Sequence, residues 1–376
     1  MNPIQMVDLK VQYQHIQNEI DHALKSVMEN TAFINGPEVK SFQEELQAHL
    51  DVKHVIACAN GTDALQIAMM ALDLQPGDEV ITASFTYVAT AEVIALLKLT
   101  PVLVDVDPHT FNIDPVAVEK AITSKTRAIV PVHLFGQCAN MDAIMDIALK
   151  HDLFVIEDTA QAIGAKYTHQ SGEVSSAGCI GHIGATSFFP SKNLGCYGDG
   201  GALFTNDDQL AERIRMIANH GQKIRYYHDI VGINSRLDSM QAAILRIKLR
   251  KLNDYTAARN KAASFYDHAF ADCAQLTIPA RAKNSTHVFH QYTLVTNGID
   301  RFKLQEYLAT KNIPSMVYYP VPLHMQKAYA DVRYKEGDFP ITEELCKHVI
   351  SLPMHTELTE EQLQLIVSEV KAFLAL

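Results

Sequence analysis

Between residues 50 and 220 the chain alternates short apolar runs with helix-like stretches, and few folds accept that alternation. KHVIACA (53–59) precedes TDALQIAMMAL, EVITA (79–83) precedes TAEVIALLK, and PVLVDV (101–106) leads to DPVAVEKAI. AIVPVH (128–133) precedes NMDAIMDIALKH, and LFVIED (153–158) follows as another buried run. These runs are apolar almost throughout, so both faces of each strand need cover. An α/β arrangement with a mostly parallel sheet between helices meets that demand. Asp114 is placed to cap one helix and Pro115 suits its first turn. Ligands of such sheets bind outside the carboxyl ends of the strands, which directs attention to the residues just after each run.

The texture changes after residue 238. Residues 239–270 read as one long helical segment that joins a large domain to a smaller one. Beyond it, VFHQYTLVT (288–296) and SMVYY (315–319) read as strands, and RFKLQEYLATK and the last roughly 18 residues as helices. The expected division is an N-terminal arm and large domain over 1–250, then a smaller α+β domain over 251–376.

Composition narrows the function. A chain of 376 residues with 48% hydrophobic content can bury a large core without covalent staples. Its 32 basic residues against 43 acidic ones give a net charge of −11, which argues against nucleic acid as a partner. The six cysteines show no short paired spacing, so no metal site is expected. The first residues lack a signal-peptide layout, and no run approaches the ~20 apolar residues of a membrane span. A cytoplasmic protein without membrane contact is the expectation.

Three groups then stand out at strand ends. In CANGTDAL, Asn60-Gly61 permits a tight turn and Thr62 and Asp63 open a helix, whose free N–H groups and dipole favour an anion. Simple capping by Thr62 or Asp63 explains that stretch equally well on its own. Ser187 ends another run and can donate to the same anion. Asp158 closes LFVIED, where a carboxylate can pair with a protonated ring nitrogen, and Gln161 can reach a neighbouring ring oxygen. Tyr87 follows EVITA and offers a flat face to a flat ligand. Last comes Lys192 in SFFPSKNLGCYGDGG, between an apolar run and Gly195, Gly198, Gly200 and Gly201. Apolar surroundings disfavour its charge and free its amine as a nucleophile. Phosphate cradle, ring carboxylate and reactive lysine together are what pyridoxal 5′-phosphate (PLP) requires.

The motifs ANGTDAL, GDEVITASFTYVATA, VDVDPHTFNID, IEDTAQAIGA, FFPSKNLGCYGDGGA, GINSRLDSMQAAIL and YYPVPLH cover nearly the whole chain. They resemble the DegT/DnrJ/EryC1/StrS family of PLP-dependent sugar aminotransferases, fold type I, aspartate aminotransferase-like. TSFFPSKNLGCYGDGGA and HGQKIRYYHDIVGINSRLD are similar to the members that aminate a UDP-linked 3-keto-N-acetylglucosaminuronic acid for surface polysaccharide. The resemblance implies that Lys192 holds the cofactor and carries the proton, and that Asp158 holds the pyridinium. It implies that Gln161 contacts the ring hydroxyl, that Tyr87 stacks on the ring, and that Gly61, Thr62 and Ser187 bind the phosphate. Asn234 would reach the phosphate of a second subunit, which makes the active site a property of a homodimer. Arg236, Tyr318, Tyr319 and His324 would face the sugar nucleotide, and Arg236 suits a carboxylate, unless it pairs with Asp238 instead. Family members often have His-Tyr-Pro where this chain has Tyr318-Tyr319-Pro320. L-Glutamate would be the donor, 2-oxoglutarate its product, and pyridoxamine 5′-phosphate the amine-carrying form. A UDP- or dTDP-linked 3-keto or 4-keto 6-deoxy sugar remains an alternative acceptor, and a non-catalytic sensor on the same fold an alternative of another class. Lys192 speaks against the related sugar dehydratases, which have histidine there.

Overall fold

The structure, a computed structural model, describes residues 3–375. Residues 1, 2 and 376, the outer limits of the two expected domains, lie outside the described residues. Two helices come first, α1 (Leu9–Asn30) and α2 (Pro37–Leu50). A seven-stranded sheet follows, built from β1 (His54–Cys58), β2 (Glu79–Ala83), β3 (Thr100–Val104), β4 (Thr126–Val130), β5 (Phe154–Asp158), β8 (Ile183–Ser187) and β9 (Gly201–Thr205). A small hairpin, β6 (Lys166–Thr168) and β7 (Val174–Ser176), interrupts that series. Helices α3 (Gly61–Ala71), α4 (Ala89–Leu96), α5 (Pro115–Ala121), α6 (Met141–His151) and α7 (Asp208–Ala218) connect and cover the strands.

The strand order is β1-β9-β8-β5-β4-β2-β3. The pairs β3–β2, β2–β4, β4–β5 and β5–β8 are parallel. Strand β9 runs antiparallel to both β8 and β1. Two reversals restore direction, so β1 points the same way as β8, and the ends of β1, β2, β5 and β8 share one edge. Successive residues leave opposite faces of a strand, and both faces are packed. Val80, Ala128, Val130 and Ile156 meet α3, α4 and α7, while Ile81, Ile129 and Val155 meet α5 and α6. That double cover is what the unbroken apolar runs require. Asp114 accepts the Val116 N–H at 3.0 Å, with Pro115 in the first turn of α5.

After a second hairpin, β10 (Gln222–Ile224) and β11 (Tyr227–His228), the stretch 239–270 departs from expectation. It is two helices, α8 (Ser239–Leu249) and α9 (Leu252–Phe270), not one. The break at Arg250–Lys251 contains neither glycine nor proline. Its cause is tertiary: α8 packs Ala242, Leu245 and Leu249 beside Phe42 and Leu46 of α2, whereas α9 packs Ala262, Ala263, Tyr266 and Phe270 into a separate core. That second core covers a three-stranded antiparallel sheet, β12 (Leu276–Thr277), β13 (Tyr292–Thr296) and β14 (Val349–Leu352). Helices α10 (Arg301–Thr310), α11 (Pro340–His348) and α12 (Glu360–Leu374) complete this part.

Two expected strands are corrected here. VFHQYTLVT pairs only from Tyr292 onward, and Phe289 has a positive φ of 45°. SMVYY forms no strand. Met316 makes one isolated bridge to Ser351, and the chain then departs through Pro320 and Pro322, which offer no N–H to a ladder. It crosses to the large sheet, where the Leu323 N–H donates to the Ser84 carbonyl at 3.1 Å.

Candidate active site

The shared edge of β1, β2, β5 and β8 gathers the groups singled out in the sequence. At the end of β1 the chain turns into α3 with Asn60 as its cap, so the cap is neither Thr62 nor Asp63. The Asn60 side chain accepts the Asp63 N–H at 2.8 Å, which leaves the Gly61 and Thr62 N–H groups at the free helix start. The turn passes directly over β9, where a Cβ on Gly201 would lie 2.4 Å from the Asn60 carbonyl oxygen. On the other side a Cβ on Gly61 would lie 2.6 Å from Ser187 Cβ. Gly61 and Ser187 are thus adjacent although β9 separates their strands. Ser187 Oγ accepts the Phe189 N–H at 3.2 Å, so its own hydrogen is free for a ligand. The buried hydroxyl of Ser235 accepts the Ala59 N–H at 3.0 Å and anchors this cradle to the GINSR segment. Sequence reasoning passed over Ser235, although it stands between Asn234 and Arg236.

Asp158 ends β5 and is 7% exposed. Its Oδ2 accepts the Thr90 hydroxyl at 2.9 Å and its Oδ1 accepts the Ala160 N–H at 3.1 Å. Thr90, fully buried on α4, was not foreseen. Among the described residues Asp158 has no ion-pair partner within 4.0 Å. Burial pushes its carboxyl up, against the opposing pull of the Ala160 N–H, Thr90 and Lys192. Beneath it, Glu157 points to the opposite face and is completely buried with His133 at 2.8 Å. The Gly178, Ile180 and Gly181 N–H groups also donate to Glu157, at 2.9, 2.7 and 2.6 Å. His133 Nδ1 accepts the Ala139 N–H, so Nε2 carries the hydrogen given to Glu157.

Lys192 lies on the excursion between β8 and β9. The loop closes on itself through Phe188 N–H to the Gly200 carbonyl at 2.7 Å and Cys196 N–H to the Phe188 carbonyl at 2.8 Å. Asn193 then ties it to the small-domain side by donating to the Val288 carbonyl at 2.9 Å. Burial lowers the Lys192 amine to about 8, and the charge of Asp158 opposes that shift. The amine has no hydrogen-bond or ion-pair partner among the described residues. A cradle of free N–H groups, a buried carboxylate without a counter-ion and a half-buried lysine amine without a partner fit PLP. Gly61, Thr62 and Ser187 would take its phosphate, Asp158 its ring nitrogen and Lys192 its aldehyde.

The ring end is more crowded than the sequence indicates. Gln161 accepts the Phe135 N–H on Oε1 at 2.8 Å and donates from Nε2 to the Tyr319 hydroxyl at 3.1 Å. Tyr87 is 58% exposed, with its ring 6.2 Å from that of Tyr319. Tyr318 is half-buried and edge-on to Tyr319. Asn234 is exposed, in a bridge with Asn219. Arg236 is half-buried and forms no ion pair, so the alternative Arg236–Asp238 pair is absent among the described residues. His324 is a correction. It is 4% exposed, its Nε2 sits 3.1 Å from Glu343, and its ring packs on Phe339. It braces the crossing loop and does not open onto the site.

A family model described as the DegT/DnrJ/EryC1/StrS aminotransferase family matches residues 14–371. A pleiotropic regulatory protein of Geobacillus stearothermophilus is 48% identical over 98% of this chain and 98% of its own. The UDP-2-acetamido-2-deoxy-3-oxo-D-glucuronate aminotransferase of Pseudomonas aeruginosa is 47% identical over 96% of this chain and 98% of its own. DesV of S. venezuelae, solved in complex with a ketimine intermediate, superposes with a TM-score of 0.95 at 38% identity, covering 100% of this chain and 99% of that one.

Proposed function

The chain belongs to the DegT/DnrJ/EryC1/StrS aminotransferase family and has its α/β fold, and from that premise we propose that it transfers an amino group from L-glutamate to UDP-2-acetamido-2-deoxy-3-oxo-D-glucuronic acid. The products are 2-oxoglutarate and the UDP-linked 3-amino sugar, made in the cytoplasm for a surface polysaccharide such as O-antigen. The amine and the hydrogen on the donor carbon end on the acceptor carbon, so no outside oxidant enters. One observation carries the reading: a low-pKa amine, a carboxylate without a counter-ion and a free helix start stand at one sheet edge. The 47% identity to the Pseudomonas uronate enzyme supports the acceptor.

PLP, when bound, supplies an electron sink for the negative charge that develops as the donor carbon loses its proton. The rest falls to this chain. Lys192 Nζ, neutral in a useful fraction near pH 7, would hold the aldehyde and would carry the proton of the donor carbon. Asp158, its two oxygens fixed by Thr90 and Ala160, would hold the ring nitrogen. The Gly61 and Thr62 N–H groups and the Ser187 hydroxyl would hold the phosphate, and Tyr87 would offer its ring to the cofactor's. Arg236 matches the sugar carboxylate with two N–H groups, and Tyr318 and Tyr319 border the same space. Asn234 is exposed and its own chain leaves it free to serve a second subunit, so the working unit is a homodimer with shared sites. The large domain spans 1–250 and the smaller one 251–376. A sensor, the reading that the Geobacillus relative's name invites, would need neither the basic amine nor the carboxylate.

The test offers glutamate-treated enzyme the 3-keto uronate and uncharged 3-keto and 4-keto sugars, each as UDP and dTDP forms, and follows 2-oxoglutarate release and the aminated product. Amination of the UDP-uronate is expected, with Arg236→Gln raising KM for it far more than for an uncharged sugar. Turnover only with uncharged sugars, or only with small keto acids, would sink the uronate assignment.

A further inference from the structure

Tyr319 reaches the site from the small-domain side. It sits between the Met316–Ser351 bridge and the Leu323 N–H bond to Ser84. Its ring stands edge-on to Phe85, with centroids 6.0 Å apart. Its hydroxyl meets Gln161 Nε2 at 3.1 Å. The other end of that amide is not free to turn. The Phe135 N–H is a donor only, so the oxygen that it meets at 2.8 Å has to be Oε1 and the NH2 group has to face Tyr319. An amide NH2 carries two hydrogens, and Tyr319 takes one. The second, and the hydrogen of the Tyr319 hydroxyl, have no acceptor among the described residues. Burial pushes the phenol up, so it keeps its hydrogen.

We propose that Tyr319 is a positioning residue that aims the free N–H of Gln161 at the ring oxygen of the bound cofactor. This rests on the PLP reading above. Phe135 fixes which way the amide faces and Tyr319 fixes where its NH2 group points. The loop that crosses from the small sheet thereby sets how well the ring oxygen holds negative charge. Sequence spacing assigns Gln161 the contact but gives no hint of the partner, 158 residues away.

The test uses PLP-loaded protein and reads two quantities besides turnover: the pH midpoint between the visible and near-ultraviolet forms, and the PLP dissociation constant. Tyr319→Phe keeps the ring against Phe85 and Tyr87 and removes only the oxygen. A ring oxygen with a poorer donor holds charge less well, so the shared proton is held harder and the midpoint moves up. A shift of roughly half to one pH unit and a roughly 2- to 10-fold weaker dissociation constant are expected. Gln161→Ala should move the midpoint at least as far, and adding Tyr319→Phe to it should move it no further. A midpoint unchanged in Tyr319→Phe, or additive shifts in the double variant, would overturn the proposal. Wild-type protein that forms no visible band with PLP would instead remove the cofactor reading, and the role of Tyr319 with it.

Discussion

The amine of Lys192 departs far from the behaviour of a lysine in water, and its titration can be followed directly. Burial lowers it from 10.5 to about 8. An amine at that value is roughly one-tenth free at pH 7, against about one part in 3,000 for an ordinary lysine, a gain of roughly 300-fold in nucleophile. The sign is fixed by chemistry, since only the unprotonated amine attacks an aldehyde. Protein freed of cofactor and mixed with PLP should therefore gain its visible band about tenfold faster per pH unit up to about 8, then level off. Stopped-flow absorbance across roughly pH 6–10, a range that separates the two cases, reads this profile. Asp158→Asn supplies a second check of opposite intuition. The carboxylate raises the Lys192 value, so its loss should move the plateau to lower pH even as PLP binds more weakly. A rate that keeps climbing toward pH 10 would refute the argument that burial prepares this amine. An unmoved midpoint in Asp158→Asn would refute its coupling to the carboxylate.

Two further perturbations test the framework. Gly61→Ala forces a Cβ to within 2.6 Å of Ser187 Cβ; overpacking of this kind costs about 1–3 kcal/mol, so the unfolding free energy in urea should fall by that amount, and PLP affinity measured by fluorescence quenching should fall as the cradle shifts. Glu157→Gln turns a donor toward two donors whichever way the amide faces, either the Ile180 and Gly181 N–H groups or the Gly178 N–H and His133, and should lower the unfolding free energy in urea by about 3–5 kcal/mol. Burial raises the Glu157 carboxyl, but His133 and the backbone N–H groups outweigh it and hold it below 4.5. A depressed carboxylate stabilises above its unfolded value and loses that contribution as pH falls through its folded one, so the gap between wild type and Glu157→Gln should narrow in acid. A constant gap would show that Glu157 acts through shape alone.

The parallel sheet was legible because its cause is local. A strand covered on both faces has to be apolar at successive positions, as Val80–Ile81 in β2, Ala128–Val130 in β4 and Val155–Ile156 in β5 are. The reactive lysine, the ring carboxylate and the helix start were legible for a related reason: each follows a strand, and strand ends converge in this topology whatever lies between them. What adjoins them was not legible. Nothing in the sequence pairs Thr90 with Asp158, Ser235 with Ala59 or Tyr319 with Gln161, because each contact joins segments far apart in the chain. His324 was placed beside the sugar on local resemblance, yet Glu343 and Phe339 enclose it. The stretch 239–270 has helical propensity throughout, and it breaks because its halves are buried by two different cores. Sequence thus determined the sheet and the chemistry at its edge, through burial pattern and residue type. Tertiary structure alone decided which partners orient that chemistry, because orientation depends on contacts between segments that no local pattern encodes.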